Sequence, residues 1–162
     1  MRAPPLTPLA AAALHVPAPE RALVVGCGDG EAVLLLAREF PAARVRGVDP
    51  SPALVRKASA RVGLDPEGRV AFKVGEPSTL PYPDSFFDLV VQVDGRPAPG
   101  EIARVLLPGA HLILARSRRL DIAAGAREGL LRRRLARRGI GLVQAESSGD
   151  GNFLVGRLGD GG

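Results

Sequence analysis

Residues 22–40 read ALVVGCGDGEAVLLLAREF, and this stretch decides the fold. A run of small apolar residues enters a turn that contains three glycines, and an amphipathic segment follows at once. The pattern predicts a β-strand over 22–26, then a glycine loop, then a helix over 31–40. Glycine adopts positive φ and lets a ligand approach the backbone, and a helix N-terminus presents free N–H groups to an anion. A ligand site and a tight turn without a ligand both fit this stretch on its own.

The same alternation of strand-like and helix-like segments continues along the chain. The further predicted strands are 44–49, 69–75, 86–93 and 110–117. The further predicted helices lie within 51–63, which has capping signals at both ends, at 101–106 and at the arginine-rich 123–138. Residues 139–147 and 153–158 predict an antiparallel hairpin around the turn that separates them. Strands that alternate with helices form parallel sheets, so we expect an α/β fold closed by this hairpin.

Length and charge favour one domain with a locally basic segment. A chain of 162 residues fits a single core, so 1–162 is predicted as one domain, with an N-terminal extension (1–20), a core (22–117) and a basic helix with the hairpin (118–158). The net charge of +5 is concentrated in 111–138, where nine arginines stand against two acidic residues. The chain has one tyrosine and no tryptophan, which gives nucleic-acid bases little to stack on. A solvated helix face is therefore favoured over a nucleic-acid interface.

Cysteine and histidine usage indicates neither a disulfide nor a metal site. Cys27 is the only cysteine, and the two histidines, His15 and His111, form no ligand pattern with it. The apolar run 9–14 is too short for a secretory signal or a membrane span. We therefore expect a metal-free cytoplasmic protein with no membrane partner.

The glycine spacing and an acidic residue downstream narrow the class of ligand. A dinucleotide fingerprint would place glycine at position 31, where the chain has Glu31, and the lysine of a phosphate-binding loop is also missing. Asp49 ends the second predicted strand, about twenty residues after the turn, where a carboxylate can accept hydrogen bonds from both ribose hydroxyls. Asp49 would otherwise only cap the next helix, but Ser51 already supplies a good cap. The pattern favours a ribose-binding role for Asp49, while the glycine spacing disfavours a dinucleotide.

Two further stretches carry a family resemblance. Residues 75–90 read GEPSTLPYPDSFFDLV, and residues 101–114 read EIARVLLPGAHLIL. Together with the glycine loop and Asp49, they resemble the class I S-adenosylmethionine-dependent methyltransferases, in particular the type 11-like group that modifies small molecules. The resemblance runs from about 22 to 117. It implies a Rossmann-like methyltransferase fold with a seven-stranded, mostly parallel sheet and a C-terminal antiparallel hairpin, S-adenosylmethionine as the cofactor, and a small molecule as the methyl acceptor.

The resemblance also assigns residues to the cofactor. It implies that the glycine loop cradles the methionine part, that Asp49 holds the ribose and that Pro50 packs on the adenine face. Glu76 takes the place of an aspartate that faces the adenine amino group, and Gln92 lies where the cofactor passes the fourth strand. The predicted cofactor-binding residues are Gly26, Cys27, Gly28, Gly30, Asp49, Pro50, Glu76, Pro77 and Gln92.

The acceptor side departs from the family pattern. Only DGRPAPG, residues 94–100, separates the fourth strand from the next helix, where the family has a longer segment that walls the methyl-transfer site. Residues 1–20 offer no lid, so we expect an open site that a homodimer or the substrate itself completes. In-line methyl transfer needs little acid–base chemistry. No catalytic residue is therefore predicted, and the two candidate bases, Asp94 and His111, are better explained as a turn residue beside Gly95 and a neutral strand histidine.

Three functions stay open at this stage. The chain is a small-molecule methyltransferase, a methyltransferase that reaches RNA or protein through its basic helix, or a degenerate domain with a binding or structural role. A nicotinamide-dependent dehydrogenase is disfavoured by Glu31 and because Tyr82 lies in a proline-rich loop with no lysine near it along the chain.

Overall fold

The computed structural model describes residues 6–117 and 122–160, in which a central sheet lies between two layers of helices. The strands are β1 (Arg21–Val25), β2 (Arg44–Asp49), β3 (Val70–Val74), β4 (Phe87–Val93), β5 (Leu106–Arg116), β6 (Ile140–Ser148) and β7 (Gly151–Leu158). The helices are α1 (Thr7–Ala13), α2 (Glu31–Glu39), α3 (Pro52–Val62), α4 (Pro99–Val105) and α5 (Ile122–Arg137).

The sheet has the strand order β3-β2-β1-β4-β5-β7-β6. Strands β1 to β5 run parallel, and β7 is antiparallel to both β5 and β6. Parallel strands end at the same edge of a sheet, so the loops that follow β1 to β5 meet along one line, here named the carboxyl edge. The predicted seven-stranded, mostly parallel sheet with a C-terminal antiparallel hairpin is confirmed.

Each face of the sheet carries its own apolar core. Val24 and Val25 are neighbours in β1, and because side chains alternate across a strand they enter different cores. One core includes α1 and α2, where Leu36 is fully buried. The other includes α4 and α5 through Ile102 and Leu135. Each fully buried aliphatic side chain of this kind contributes about 1.5–3 kcal/mol, so these two cores hold the carboxyl edge in place.

Arg104 of α4 joins the two stretches that carry the family resemblance. Its Nε lies 2.6 Å from Glu101 Oε2, and its Nη1 lies 2.7 Å from Asp84 Oδ1. It also donates to the carbonyls of Tyr82 and Leu80, at 2.9 and 3.0 Å. The hydrogen bond from Arg104 holds the pKa of the Glu101 carboxyl below its usual range. Arg104 thus helps to fix the loop 75–86 to α4, together with the Leu80 N–H, which donates to Glu101 at 2.7 Å, and no local pattern in the sequence predicts this pairing.

Helix α1 was not predicted. The stretch TPLAAAA reads as an extension because its apolar residues have no polar partners at helical spacing, yet Leu9 and Ala12 are fully buried. They pack with Ile113 of β5 and with Phe153 of β7. The extension therefore covers part of the sheet rather than remaining loose.

The other predicted elements are confirmed with small shifts at their ends. Ser51 caps α3 as expected, since its Oγ accepts a hydrogen bond from the Leu54 N–H at 3.2 Å. Strand β5 begins at Leu106 instead of 110, so Pro108 and Gly109 lie within the strand. None of the helices in the described part of the chain is both long and apolar enough to cross a bilayer.

Candidate functional site

The glycine loop is held against β2 by its own backbone. The N–H groups of Gly26 and Cys27 both donate to the carbonyl oxygen of Val48, at 2.8 and 3.0 Å. The N–H of Gly30 donates to the Cys27 carbonyl at 2.9 Å, which closes the turn into α2. The Cys27 side chain is buried, and burial raises the pKa of its thiol to about 12. Cys27 therefore presents backbone, and no thiolate, to the carboxyl edge.

The three loop glycines serve two different purposes. Gly26 and Gly28 have φ of +68° and +53°, and a side chain at either would meet nothing within 4 Å. They keep an open surface over the loop in a backbone conformation that other residues adopt only under strain. Gly30, with φ +94°, is a packing position, because a Cβ there would lie 3.1 Å from Ala58 and 3.2 Å from Phe72.

Asp49 ties three loops of the carboxyl edge together. Its Oδ2 accepts the N–H of Gly28 at 3.0 Å, and its Oδ1 accepts the N–H of Ser51 at 2.9 Å. Its backbone carbonyl accepts the N–H of Gly75 at 3.1 Å. A carboxylate offers about four acceptor positions, so each oxygen keeps room for one further donor. The residue predicted to hold a ribose is 8% exposed and can still do so while it fixes the glycine loop.

Two acidic side chains beside the glycine loop lie close to one arginine. Arg61 of α3 lies 3.0 Å from Asp29 Oδ2 and 3.9 Å from Glu31 Oε1. Gly30 provides α2 with no side-chain cap, so the first N–H groups of the helix remain available to an anion. Arg61 reduces the negative charge that the two carboxylates place beside these donors. Glu31 therefore repels a singly charged anionic group less strongly than the sequence alone indicates.

The remaining predicted cofactor residues lie on neighbouring loops of the same edge. Pro50 is exposed directly after Asp49, and the bond from Gly75 to Asp49 brings the end of β3 to the end of β2. Glu76 is exposed, and its backbone bridges to Thr79. Pro77 beside it is half-buried. The structure thus brings the residues predicted for adenine and ribose to one end of the site, and their contact with a cofactor stays a prediction.

Gln92 lies at the opposite end of the predicted cofactor site from the residues predicted for adenine. It is 4% exposed near the end of β4 and pairs with Val25 of β1 and Leu114 of β5. Its Oε1 is buried and has no hydrogen-bond partner among the described residues. An unsatisfied buried acceptor costs about 1–3 kcal/mol. A hydrogen-bond donor on a bound ligand would remove that cost. An unpaired buried acceptor of this kind is expected in a ligand site without its ligand.

Tyr82 has a neighbour that the sequence did not suggest. Lys73 Nζ lies 5.0 Å from the centre of the Tyr82 ring, although nine positions separate the two residues in the sequence. The lysine stands over the ring rather than at the hydroxyl, and burial raises the pKa of Tyr82 to about 12. A tyrosine that acts in dehydrogenase chemistry needs the opposite shift. The premise that no lysine is near was wrong, but the pair still does not form acid–base machinery.

Neither side chain inspected as a base suits proton transfer at the carboxyl edge. Both carboxylate oxygens of Asp94 accept from Ser117, at 2.9 Å from its N–H and 2.7 Å from its hydroxyl. His111 pairs with Leu89 near the start of β4, and five residues separate it from the end of β5 at Arg116, which is about 16 Å along a strand. Burial lowers the pKa of His111, so the ring is neutral there.

A helix whose arginines the sequence predicts to be solvated also lines a cavity. A cavity of about 460 Å³ lies between α5 and the short segment that follows β4. Leu131 of α5 lines it on one side and Pro97 on the other. Residues 94–100 are too short to enclose a substrate alone, and α5 supplies the second wall. The two walls lie far apart in the chain, so no local motif could have signalled the cavity.

Known proteins match both the sequence and the fold. A family of methyltransferase domains matches residues 22–109. The chain is 37% identical over 108 residues to demethylmenaquinone methyltransferase of Thermus thermophilus, covering 60% of this chain and 47% of that protein. It is 34% identical over 120 residues to trans-aconitate 2-methyltransferase of Streptomyces avermitilis, covering 68% of this chain and 44% of that protein. The chain thus spans less than half the length of these curated relatives.

The fold also matches that of a SAM-dependent methyltransferase from Aquifex aeolicus. The TM-score is 0.77 at 19% identity, over 95% of this chain and 91% of the other. At that identity the likeness speaks for the fold alone. The sequence match over more than half of the chain speaks for the family, and the resemblance drawn from the glycine loop and the two later stretches is confirmed. The chain belongs to the methyltransferase domain family, whose class I members take their methyl group from S-adenosylmethionine.

Proposed function

We propose that this chain transfers a methyl group from S-adenosylmethionine to a small molecule. The observation that carries the proposal is the joint between the glycine loop and Asp49. Gly26 and Gly28 leave open space above a backbone fixed to β2, and Asp49 touches that backbone while keeping free acceptor positions. These features fit an amino-acid group over the loop and a ribose beside it.

The residues along the carboxyl edge follow the order of the cofactor's parts. Pro50, Glu76 and Pro77 come after β2 and β3 and would face the adenine. Asp49 would accept from the ribose hydroxyls, and the backbone of 26–30 with the uncapped N-terminus of α2 would hold the methionine part. Gln92, one strand further, would lie beside the reacting end. When bound, S-adenosylmethionine supplies a sulfonium-activated methyl group that an acceptor atom takes by in-line displacement.

The protein's own contribution is position. The two apolar cores and the backbone hydrogen bonds of the glycine loop fix the cofactor side of the site. The residues that line the cavity beside α5 form the other side. Holding two reactants at attack distance supplies most of what such a displacement needs. Asp94 and His111 are not placed to act as a base, and Glu128 is the one carboxylate among the described residues that line the cavity.

A small acceptor is supported by the size of the cavity and by the relatives. About 460 Å³ lies within the usual range of roughly 300–1,000 Å³ for small-molecule pockets. The two curated relatives carry the names of small-molecule methyltransferases, one for demethylmenaquinone and one for trans-aconitate. The acceptor of this chain is proposed to belong to that size class.

Isothermal titration with S-adenosylmethionine and S-adenosylhomocysteine tests the cofactor half of the proposal. We expect micromolar binding by the wild type, a loss of at least 30-fold (about 2 kcal/mol) in Asp49→Ala and a smaller loss in Asp49→Asn, which can still accept from Gly28. Asp150→Ala, an exposed carboxylate in the turn between β6 and β7, is the matched control and should bind as the wild type does. NADH should not bind. A folded wild type that binds neither sulfur compound would refute the proposal.

Turnover distinguishes an enzyme from a binding domain. Formation of S-adenosylhomocysteine in the presence of candidate acceptors is expected to exceed the rate without acceptor. Cofactor binding without acceptor-dependent turnover across a broad acceptor panel would favour the binding-domain alternative instead.

A further inference from the structure

The cavity beside α5 adjoins the proposed cofactor site. Its floor is the segment Gly95–Pro97, and Arg116 at the end of β5 closes one side. A Cβ on Gly95 would lie 3.1 Å from Gln92 Nε2, so the floor of the cavity lies against Gln92, one of the predicted cofactor-binding residues. Strands β1, β4 and β5 are consecutive in the sheet, at about 4.8 Å per step. The end of β5, which carries Arg116, therefore lies about 10 Å from the end of β1, beside the proposed cofactor site.

The cavity carries strong positive charge. Among the described lining residues, four arginines stand against one glutamate, a net formal charge of +3. Glu128, the glutamate, lies 3.4 Å from Arg132, which does not line the cavity, so part of its charge is already compensated there. Arginine stays charged at any physiological pH. The lining arginines are Arg96, Arg116, Arg127 and Arg134.

The arginines are arranged around an apolar centre. Arg116 Nη1 donates to the Gly95 carbonyl at 2.8 Å, which orients its guanidinium at the cavity wall and leaves other donors for a ligand. Arg127 and Arg134 are seven residues apart on α5, two turns along one face, and Leu130 and Leu131 lie between them. Leu130 is 48% exposed, which is high for a leucine beside a cavity. The site presents cationic ends and an apolar middle.

We propose that this cavity binds the acidic group of the methyl acceptor, so that the acceptor is a small amphipathic anion with a carboxylate or phosphate and an apolar body. The guanidinium groups pair with the oxyanion, since two parallel N–H donors match both groups. Leu130 and Leu131 cover the apolar body. This assignment rests on the proposed methyl transfer, because it takes the cavity as the acceptor side of that reaction.

A small anion fits these walls better than a nucleic acid does. The described lining residues include no aromatic side chain, so they offer bases nothing to stack on. The cavity is also bounded on two sides, by 95–97 and by α5, where a polynucleotide needs an open track. The arginines of α5 that do not line the cavity, Arg133 among them, remain exposed to solvent.

The test compares matched probes on the full chain. Octanoate, octyl phosphate and neutral octanol are titrated in the presence of S-adenosylhomocysteine, and a 20-nucleotide single-stranded RNA is titrated separately. We expect one or both octyl anions to bind at least 10-fold more tightly than octanol, with the gap narrowing as salt rises. The ratio between octanoate and octyl phosphate tells which acid group the arginines prefer. Arg134→Gln and Arg96→Gln should each weaken anion binding about 10-fold or more, the usual effect of losing a charged hydrogen bond.

The controls separate this assignment from the methyl-transfer proposal. Arg133→Gln carries the same change on α5 outside the cavity and should leave anion affinity within about two-fold. S-adenosylhomocysteine affinity should stay unchanged in all three variants, since none of these residues lies among the proposed cofactor residues. Octanol binding as tightly as the octyl anions, or Arg133→Gln losing as much as Arg134→Gln, would overturn the assignment. So would RNA that binds more tightly than either octyl anion. A failure to bind S-adenosylhomocysteine with intact anion binding would instead show that methyl transfer, and with it the acceptor assignment, is wrong.

Discussion

The two halves of the site are built in different ways. The cofactor half, formed by the loops after β1, β2 and β3, is held by backbone donors: Gly26, Cys27, Gly28 and Gly75 all donate to Val48 or Asp49 at 2.8–3.1 Å. The acceptor half, formed by 95–97, Arg116 and α5, is made of side chains from three distant parts of the chain. A backbone-built half needs a short contiguous motif, whereas a side-chain-built half can change residue by residue. We therefore expect relatives to share the proposed cofactor half, and we expect the proposed acceptor half to set this chain's own specificity.

The largest effect should come from filling the cofactor half. Gly28→Ala is expected to lower S-adenosylmethionine affinity at least 30-fold, about 2 kcal/mol, because the new Cβ enters the open space above the loop at φ +53°. Gly63→Ala is the matched control: it has φ +66° and open space too, but it ends α3. Both variants should lose about 1–2 kcal/mol of stability from backbone strain. Titration calorimetry that shows equal affinity in both variants would place the cofactor elsewhere.

Removing the side chain that fixes the third loop of the cofactor half should mainly cost stability. Arg104→Ala is expected to lower the free energy of unfolding by about 1–2 kcal/mol, because two carbonyls lose their donor and Glu101 keeps only the Leu80 N–H. Arg56→Ala, an exposed arginine on α3, should change it by less than about 0.5 kcal/mol. Urea unfolding at pH 7 measures both.

The same variant carries a pH signature. Arg104 lowers the pKa of Glu101 in the folded protein. The stability that this pair contributes is therefore fully present above the unfolded pKa of about 4.3 and is lost as pH falls through the lower folded value. The difference in free energy of unfolding between wild type and Arg104→Ala should therefore shrink as pH falls from about 5 to about 3. A difference independent of pH would mean that Glu101 is not the partner that matters.

A smaller effect is expected from the buried hydroxyl beside the third loop. Tyr82 Oη has no hydrogen-bond partner among the described residues, so Tyr82→Phe should leave stability unchanged or raise it by up to about 1 kcal/mol at pH 7. Burial raises the pKa of Tyr82 to about 12 in the folded protein. The contribution of Tyr82 to stability should therefore be constant below the unfolded pKa of about 10, and wild-type stability should fall more steeply than that of Tyr82→Phe as pH rises from there toward 12. Thermal melts of both proteins across pH 8–11 measure the difference, and a Tyr82→Phe variant clearly less stable at pH 7 would mean that the hydroxyl has a partner.

What the sequence could predict also separates into local features, which were predicted, and tertiary contacts, which were not. The strands, α3 with its Ser51 cap and the glycine loop follow from periodicity, capping and turn chemistry, which are local. Helix α1 was missed because TPLAAAA has no polar face, and only its packing on β5 and β7 makes it a helix. The contacts of Arg104 and of Lys73 with the loop 75–86 join residues that the chain keeps apart. The wall that α5 gives the cavity is tertiary as well, so its arginines read as a solvated face.

The smallest expected effect tests how the cofactor half tolerates its own acidic residues. Glu31→Gln should raise S-adenosylmethionine affinity about two-fold, because it removes a negative charge beside the uncapped N-terminus of α2. It should also cost about 0.3 kcal/mol of stability, since an acidic residue in the first turn favours the helix. Glu39→Gln, at the other end of α2, is the control and should leave affinity unchanged. Titration at low salt gives the clearest reading, because exposed charges are screened over about 10 Å at 0.1 M. If affinity falls in Glu31→Gln, the carboxylate is itself a contact of the cofactor, and the cofactor half uses side chains after all.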